Sequence, residues 1–134
     1  MTTETARKRI LIVDDEKEFV DATADYLRSL GYEPLVARTA EEALKVVERQ
    51  FPDLILLDII LPEMKGVEVC NNLKANLATR HIPILFVTAI GTGEHIQVLL
   101  NMGADGYLIK PCKAEELRDR IKSCLQHQDS QSGG

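Results

Sequence analysis

The chain lacks what a membrane or exported protein would carry. No apolar run approaches the roughly 18 residues a membrane-crossing helix needs. Met1 to Arg9 does not follow the basic-then-apolar plan of a signal peptide, since the apolar stretch after it is only strand-length. A cytoplasmic location and no membrane partner are the expectations. Cysteine is sparse: Cys70, Cys112 and Cys124 are an odd number without CxxC spacing, so neither a disulfide framework nor a zinc site is indicated and free thiols are expected. His81, His95 and His127 form no ligand spacing either. Positive charge is also short. A net charge of −5 makes a poor non-specific binder of nucleic acid or anionic membrane, and Arg7-Lys8-Arg9 is too brief a run to serve as a nucleic-acid arm.

What is present suffices for one core. The 134 residues imply a single domain, and 45% of them are apolar. The organising stretch is Asp53-Leu54-Ile55-Leu56-Leu57-Asp58, an unbroken apolar run ending on a carboxylate. Such a run fits a strand buried on both faces, and Pro62 prevents its continuation. Similar runs occur at Ile10 to Val13, Pro83 to Val87 and Tyr107 to Ile109, and Glu33 to Ala37 reads as a further strand. Helical patterns separate them. Phe19, Thr23, Tyr26, Leu27 and Leu30 share one face before Gly31. Thr39-Ala40-Glu41-Glu42 is a capping box opening a helix towards Gln50. Helices are also expected from Gly66 to about Lys74, through Ile96, Leu99, Leu100 and Met102 to Gly103, and from Ala114 to about Gln126. The polar end, Asp129 to Gly134, is expected to be a disordered tail, a linker or a remnant of cloning.

Five strands each followed by a helix imply an α/β doubly wound (βα)5 sandwich with a five-stranded parallel sheet and right-handed crossovers. The order 2-1-3-4-5 is adopted from known sheets of this architecture; it leaves a crevice where strands one and three adjoin. Parallel strands end on one side. Asp14, Asp15, Asp58, Thr88 and Lys110 therefore meet at one rim. Three carboxylates repel one another unless neutralised, and a hard cation such as magnesium takes oxygen ligands of this kind. Asp14, Asp15 and Asp58, with the backbone carbonyl of Ile60, are the expected ligands of Mg2+. An acid cluster facing one lysine and one hydroxyl suits phosphoryl transfer, with a carboxylate nucleophile forming an acyl phosphate.

Taken singly, each residue has a plainer reading. Asp14 or Asp15 would cap the first helix, Thr88 would end a strand, Lys110 would be a solvated lysine, Tyr107 would belong to the core, and Cys112 would be inert. Their joint position at one rim is what favours the phosphoryl site.

Ile10-Leu11-Ile12-Val13-Asp14-Asp15-Glu16, the stretch Asp53 to Asp58 with Leu61-Pro62 and Gly66, Pro83 to Ala89, and Gly103-Ala104-Asp105-Gly106-Tyr107-Leu108-Ile109-Lys110-Pro111 carry a family likeness. The sequence resembles the receiver domain of two-component response regulators, which includes the single-domain chemotaxis regulator. The resemblance implies a flavodoxin-like fold over residues 9–127, after an N-terminal lead-in, 1–8, and before the tail, 128–134. It implies that Asp58 accepts a phosphoryl group from a sensor histidine kinase or a histidine phosphotransfer protein. Asp14 and Asp15 would bind magnesium, Thr88 and Lys110 would contact the phosphoryl group, and Tyr107 would turn inward as Thr88 moves. A cis Lys110-Pro111 bond is implied as well. The loop from Ala89 to Gly93 would rearrange. The face of the fourth helix, fifth strand and fifth helix, with Ile96, Val98 and Tyr107, would then bind an output domain or partner protein, or support a phosphorylation-dependent homodimer.

Two positions depart from many relatives. Ile60 and Ile90 stand where a polar residue is common, beside the path of hydrolytic water, so a long-lived phosphorylated state is expected. Lys113 replaces a frequent acidic cap. Competing readings are an unphosphorylated pseudo-receiver, a phosphatase of the haloacid dehalogenase type and a flavin carrier. The phosphatase needs an Asp-x-Asp after its first strand, whereas Asp14 and Asp15 are adjacent. The flavin carrier needs a Ser/Thr/Gly-rich loop after Val13, which is missing.

Overall fold

The expected alternation is complete. The computed structural model describes residues 7–62, 65–90 and 93–133. Its elements in chain order are β1 (Arg9–Val13), α1 (Lys17–Ser29), β2 (Glu33–Ala37), α2 (Ala40–Gln50), β3 (Leu54–Leu57), α3 (Gly66–Ala75), β4 (Ile84–Thr88), α4 (Gly93–Asn101), β5 (Gly106–Ile109) and α5 (Ala114–Gly133). Every strand pair is parallel and the order is β2-β1-β3-β4-β5. Gly91 and Thr92 of the loop expected to rearrange lie outside the described residues.

Period-two alternation along the strands sorts their side chains into two cores. Leu11, Val13, Ile55, Leu57, Ile84 and Phe86 face α2, α3 and α4, where Ala43, Val47, Val69, Leu73 and Leu99 meet them. Ile10, Ile12, Leu54, Leu56, Leu85, Val87 and Leu108 face α1 and α5, against Val20, Leu27, Leu117 and Ile121. Both faces of β3 and β4 are thus covered, which is why their sequences are unbroken apolar runs. At the edge, β5 alternates buried and half-buried residues.

Local signals set the ends of the helices. After α1, the N–H of Gly31 bonds Arg28 and that of Tyr32 bonds Leu27, with Gly31 at φ +92°. The same pairing recurs after α4 through Gly103 and Ala104, and both satisfy helix carbonyls that the end of a helix would otherwise leave without a partner. Thr39 accepts from the Glu42 N–H at 3.1 Å; Glu42 reaches back to the Arg38 N–H rather than that of Thr39. Two helices differ from expectation. The buried stripe of α1 is Val20, Thr23, Ala24 and Leu27, leaving Phe19 and Tyr26 half-buried. Helix α5 continues to Gly133 instead of ending near Gln126, since no glycine or proline interrupts 114–132.

Candidate functional site

Strand register builds the rim. Val13 pairs with Leu57, so Asp14 and Asp58 leave neighbouring strands side by side. Thr88 pairs with Ile109, so Lys110 emerges next to them, its N–H bonded to the Thr88 carbonyl at 2.8 Å. The Lys110 ammonium donates to Asp14 Oδ2 at 2.6 Å, Glu16 Oε1 at 2.8 Å and Asp58 Oδ2 at 3.2 Å. Asp14 and Asp58 are buried. Their other oxygens accept backbone N–H groups, Asp14 Oδ1 from Glu16 at 2.9 Å and Asp58 Oδ1 from Ile60 at 3.1 Å. Each carboxylate is therefore satisfied and aimed before any ligand arrives.

The charges shift one another. Burial raises Asp14 above the ordinary carboxylate range, with the Lys110 hydrogen bond pulling the other way. Glu16, open to water, is held below that range by its Lys110 hydrogen bond and the ammonium's charge. Burial alone would lower Lys110, but the bonds to Asp14 and Glu16 outweigh it and hold the ammonium above the ordinary lysine range. Lys110 is thus firmly charged.

Of the expected acids, the structure brings Asp14 and Asp58 together and leaves Asp15 outside. Among the described residues, Asp14, Glu16 and Asp58 are the carboxylates whose oxygens lie within 4.8 Å of one another. Two bonds are responsible, one within the turn and one from a distant residue. Asp14 turns inward and binds the Glu16 N–H, which folds the chain back and returns Glu16 over the pocket. Asp15 at the apex is exposed, its carbonyl held by Arg38 at 2.8 Å. Glu16 and Arg38 were not singled out from sequence; the only available signal was the third acid of the Asp14-Asp15-Glu16 run. Three close carboxylate oxygen donors fit a hard divalent cation such as magnesium.

Thr88 is fully buried, and its Oγ1 accepts the Ile90 N–H at 3.4 Å. Tyr107, half-buried beside Phe86, has its carbonyl bound by Arg120, whose guanidinium lies 5.8 Å from the ring centroid. The Lys110-Pro111 bond is cis. Gly66 proves to be part of the site: a Cβ there would overlap the Asp58 carbonyl, and its N–H bonds Ile59 at 2.7 Å. Only glycine lets α3 start this close to the end of β3. Two hollows flank the cluster. One, about 460 Å³, is lined by Glu16, Phe19, Ala89, Lys110, Pro111 and Cys112. The other, about 380 Å³, is apolar, with Ile60, Ile90, Val98 and Leu99 among its walls. Cys70, Cys112 and Cys124 are free thiols, and burial raises Cys112, which makes it a poor nucleophile.

The family model for the response regulator receiver domain matches residues 10–122. The chain belongs to that receiver family. The CheY-like receiver domain protein of Methanospirillum hungatei superposes with a TM-score of 0.88 at 36% identity, covering 94% of this chain and 99% of that one. The BeF3-activated N-terminal receiver domain of RstA from Klebsiella pneumoniae gives 0.82 at 30% identity, covering 88% and 98%. The alkaline phosphatase synthesis transcriptional regulatory protein PhoP of Bacillus subtilis is 41% identical over 123 residues, 91% of this chain and 50% of its own. This receiver chain spans about half the length of the curated relatives it matches. Among its described residues no helix is long and apolar enough to cross a membrane.

Proposed function

We propose that this receiver is the phosphoacceptor of a two-component relay, with Asp58 as the acceptor. The supporting observation is the Lys110 ammonium within hydrogen-bonding distance of both Asp14 and Asp58 at adjoining strand ends. An Asp58 carboxylate oxygen attacks the phosphorus of a phosphohistidine on a sensor kinase or phosphotransfer protein. The P–O bond forms as the P–N bond breaks, and the imidazole leaves with the bond's electron pair. Asp14 and Asp58, with Asp15, Glu16 and the Ile60 carbonyl as further oxygen donors, would hold magnesium. Bound there, magnesium supplies charge neutralisation for the phosphoryl oxygens. Lys110 pairs with one of those oxygens, and Thr88 donates its hydroxyl to another. The chain catalyses only its own modification and that modification's hydrolysis.

Residues 9–127 form the signalling unit. A dianion at Asp58 draws Thr88 inward and frees space beside Tyr107, so the α4–β5–α5 face changes shape for an output partner or a second copy. The transcriptional and DNA-binding names of relatives favour an output through transcription. Intact mass after incubation with magnesium and acetyl phosphate tests the reading. A phosphate-sized gain that needs magnesium and is lost in Asp58→Ala supports it. No gain in the wild type would leave an unphosphorylated interaction module.

A further inference from the structure

The Lys110 ammonium has a fourth neighbour beyond its three carboxylates. The ring centroid of Phe19 lies 4.2 Å from Nζ. Glu16 is the N-cap of α1 and Phe19 stands three residues on, so the two side chains share one face of the first turn. Glu16 makes no side-chain capping bond and accepts from Lys110 instead. Phe19 is half-buried: it packs against the core between the sheet and α1 and α5, and it also turns its ring to the ammonium. The first turn of α1 thus carries a two-part cradle for a lysine 94 positions after Glu16.

We propose that Phe19 is a positioning residue for Lys110, and that Glu16 is the ammonium's resting-state partner. The inference rests on the phosphoacceptor reading above. The ring face attracts the ammonium and shuts water from its outer side, so the N–H groups stay aimed at Asp14 and Asp58. Glu16 is the acceptor most easily released: its side chain is 63% exposed, against 2% for Asp14 and 8% for Asp58. When a phosphoryl group forms on Asp58, its oxygen replaces the Glu16 carboxylate, and Phe19 keeps the ammonium in place during the exchange.

The test compares wild type, Phe19→Leu and Phe19→Tyr in the whole chain with magnesium and acetyl phosphate. Initial phosphorylation rates come from intact mass, thermal melts are run alongside, and the Lys110 Cε protons are followed by NMR. Phe19→Leu slows phosphorylation about three- to tenfold, the size expected for losing a partly desolvated cation–π contact, and Phe19→Tyr keeps the rate. The ring-current displacement of the Lys110 Cε protons disappears in Phe19→Leu and stays in Phe19→Tyr. A wild-type rate in Phe19→Leu overturns the proposal. So does an equal slowing in both variants that tracks lost stability, because that is packing rather than positioning. If the wild type itself takes no phosphate, the phosphoacceptor reading fails and this inference with it.

Discussion

Lys110→Met removes the ammonium that joins three carboxylates while keeping most of the stem. The two inner partners are nearly sealed from water, with side chains 2% and 8% exposed for Asp14 and Asp58. Breaking a buried ion pair by deleting one member costs roughly 3–5 kcal/mol. The longer Asp58 contact and the relief from desolvating a lysine reduce this to about 2–3 kcal/mol in the absence of divalent cation. Glu16 adds nothing to that figure because water takes over its solvation. For a domain of this size the loss corresponds to a melting point lower by roughly 6–15 °C. The deficit depends on pH in a definite sense. Asp14 is already raised by burial, and Lys110 opposes the rise, so its removal raises the carboxyl further. An acid whose pKa is raised on folding destabilises the native state progressively as pH climbs through the folded value. The deficit is therefore largest at neutral pH and shrinks on acidification towards the carboxylate range. Lys110 itself is charged in both states throughout and contributes no slope there. Melts in EDTA at pH 7.5 and pH 5 measure both effects, and added magnesium should recover more stability in the variant than in the wild type. A variant that melts with the wild type at pH 7.5, or whose deficit grows at pH 5, would refute the account of the cluster.

Two further changes probe the approach to Asp58. Gly66→Ala forces a Cβ into the Asp58 carbonyl, so urea denaturation should show a loss of about 2–3 kcal/mol and phosphorylation should slow about tenfold or more as the acceptor is displaced; a neutral result on both would mean the α3 start can move freely. Ile60→Asn and Ile90→Glu replace side chains lining the apolar hollow, the first of them 54% exposed and so cheap to change. Either should shorten the phosphoryl lifetime several-fold by admitting and orienting water. Decay of the phosphorylated mass at the wild-type rate in both variants would remove the case for water exclusion.

The layering was legible because it depends on simple periodicities. Leu54 to Leu57 and Ile84 to Val87 are apolar throughout since helices cover both faces, and the strand ends could be counted from them. The first helix was less legible. Its apolar residues span more than one face, and Phe19 and Tyr26 look as buriable as Val20 and Ala24, yet only the last two are buried. Sequence pattern ranks side chains by hydrophobicity; it does not say that an aromatic ring near the helix start will find an ammonium. The end of α5 was misplaced for the opposite reason: the apolar period stops near Leu125, but backbone hydrogen bonding continues where no breaker intervenes.

By itself the sequence determined the alternating strands and helices, their parallel sense, and the set of acids, threonine and lysine at the strand ends. Those follow from side-chain period and chain direction, which are local. The tertiary structure alone decided which acids converge. Asp15 and Glu16 are adjacent and chemically alike, yet an Asp14 side-chain bond to the next turn and an Arg38 bond from the end of β2 send one to solvent and the other to Lys110. A rim side chain is aimed by partners many positions away, and their placement is set only once the sheet is assembled.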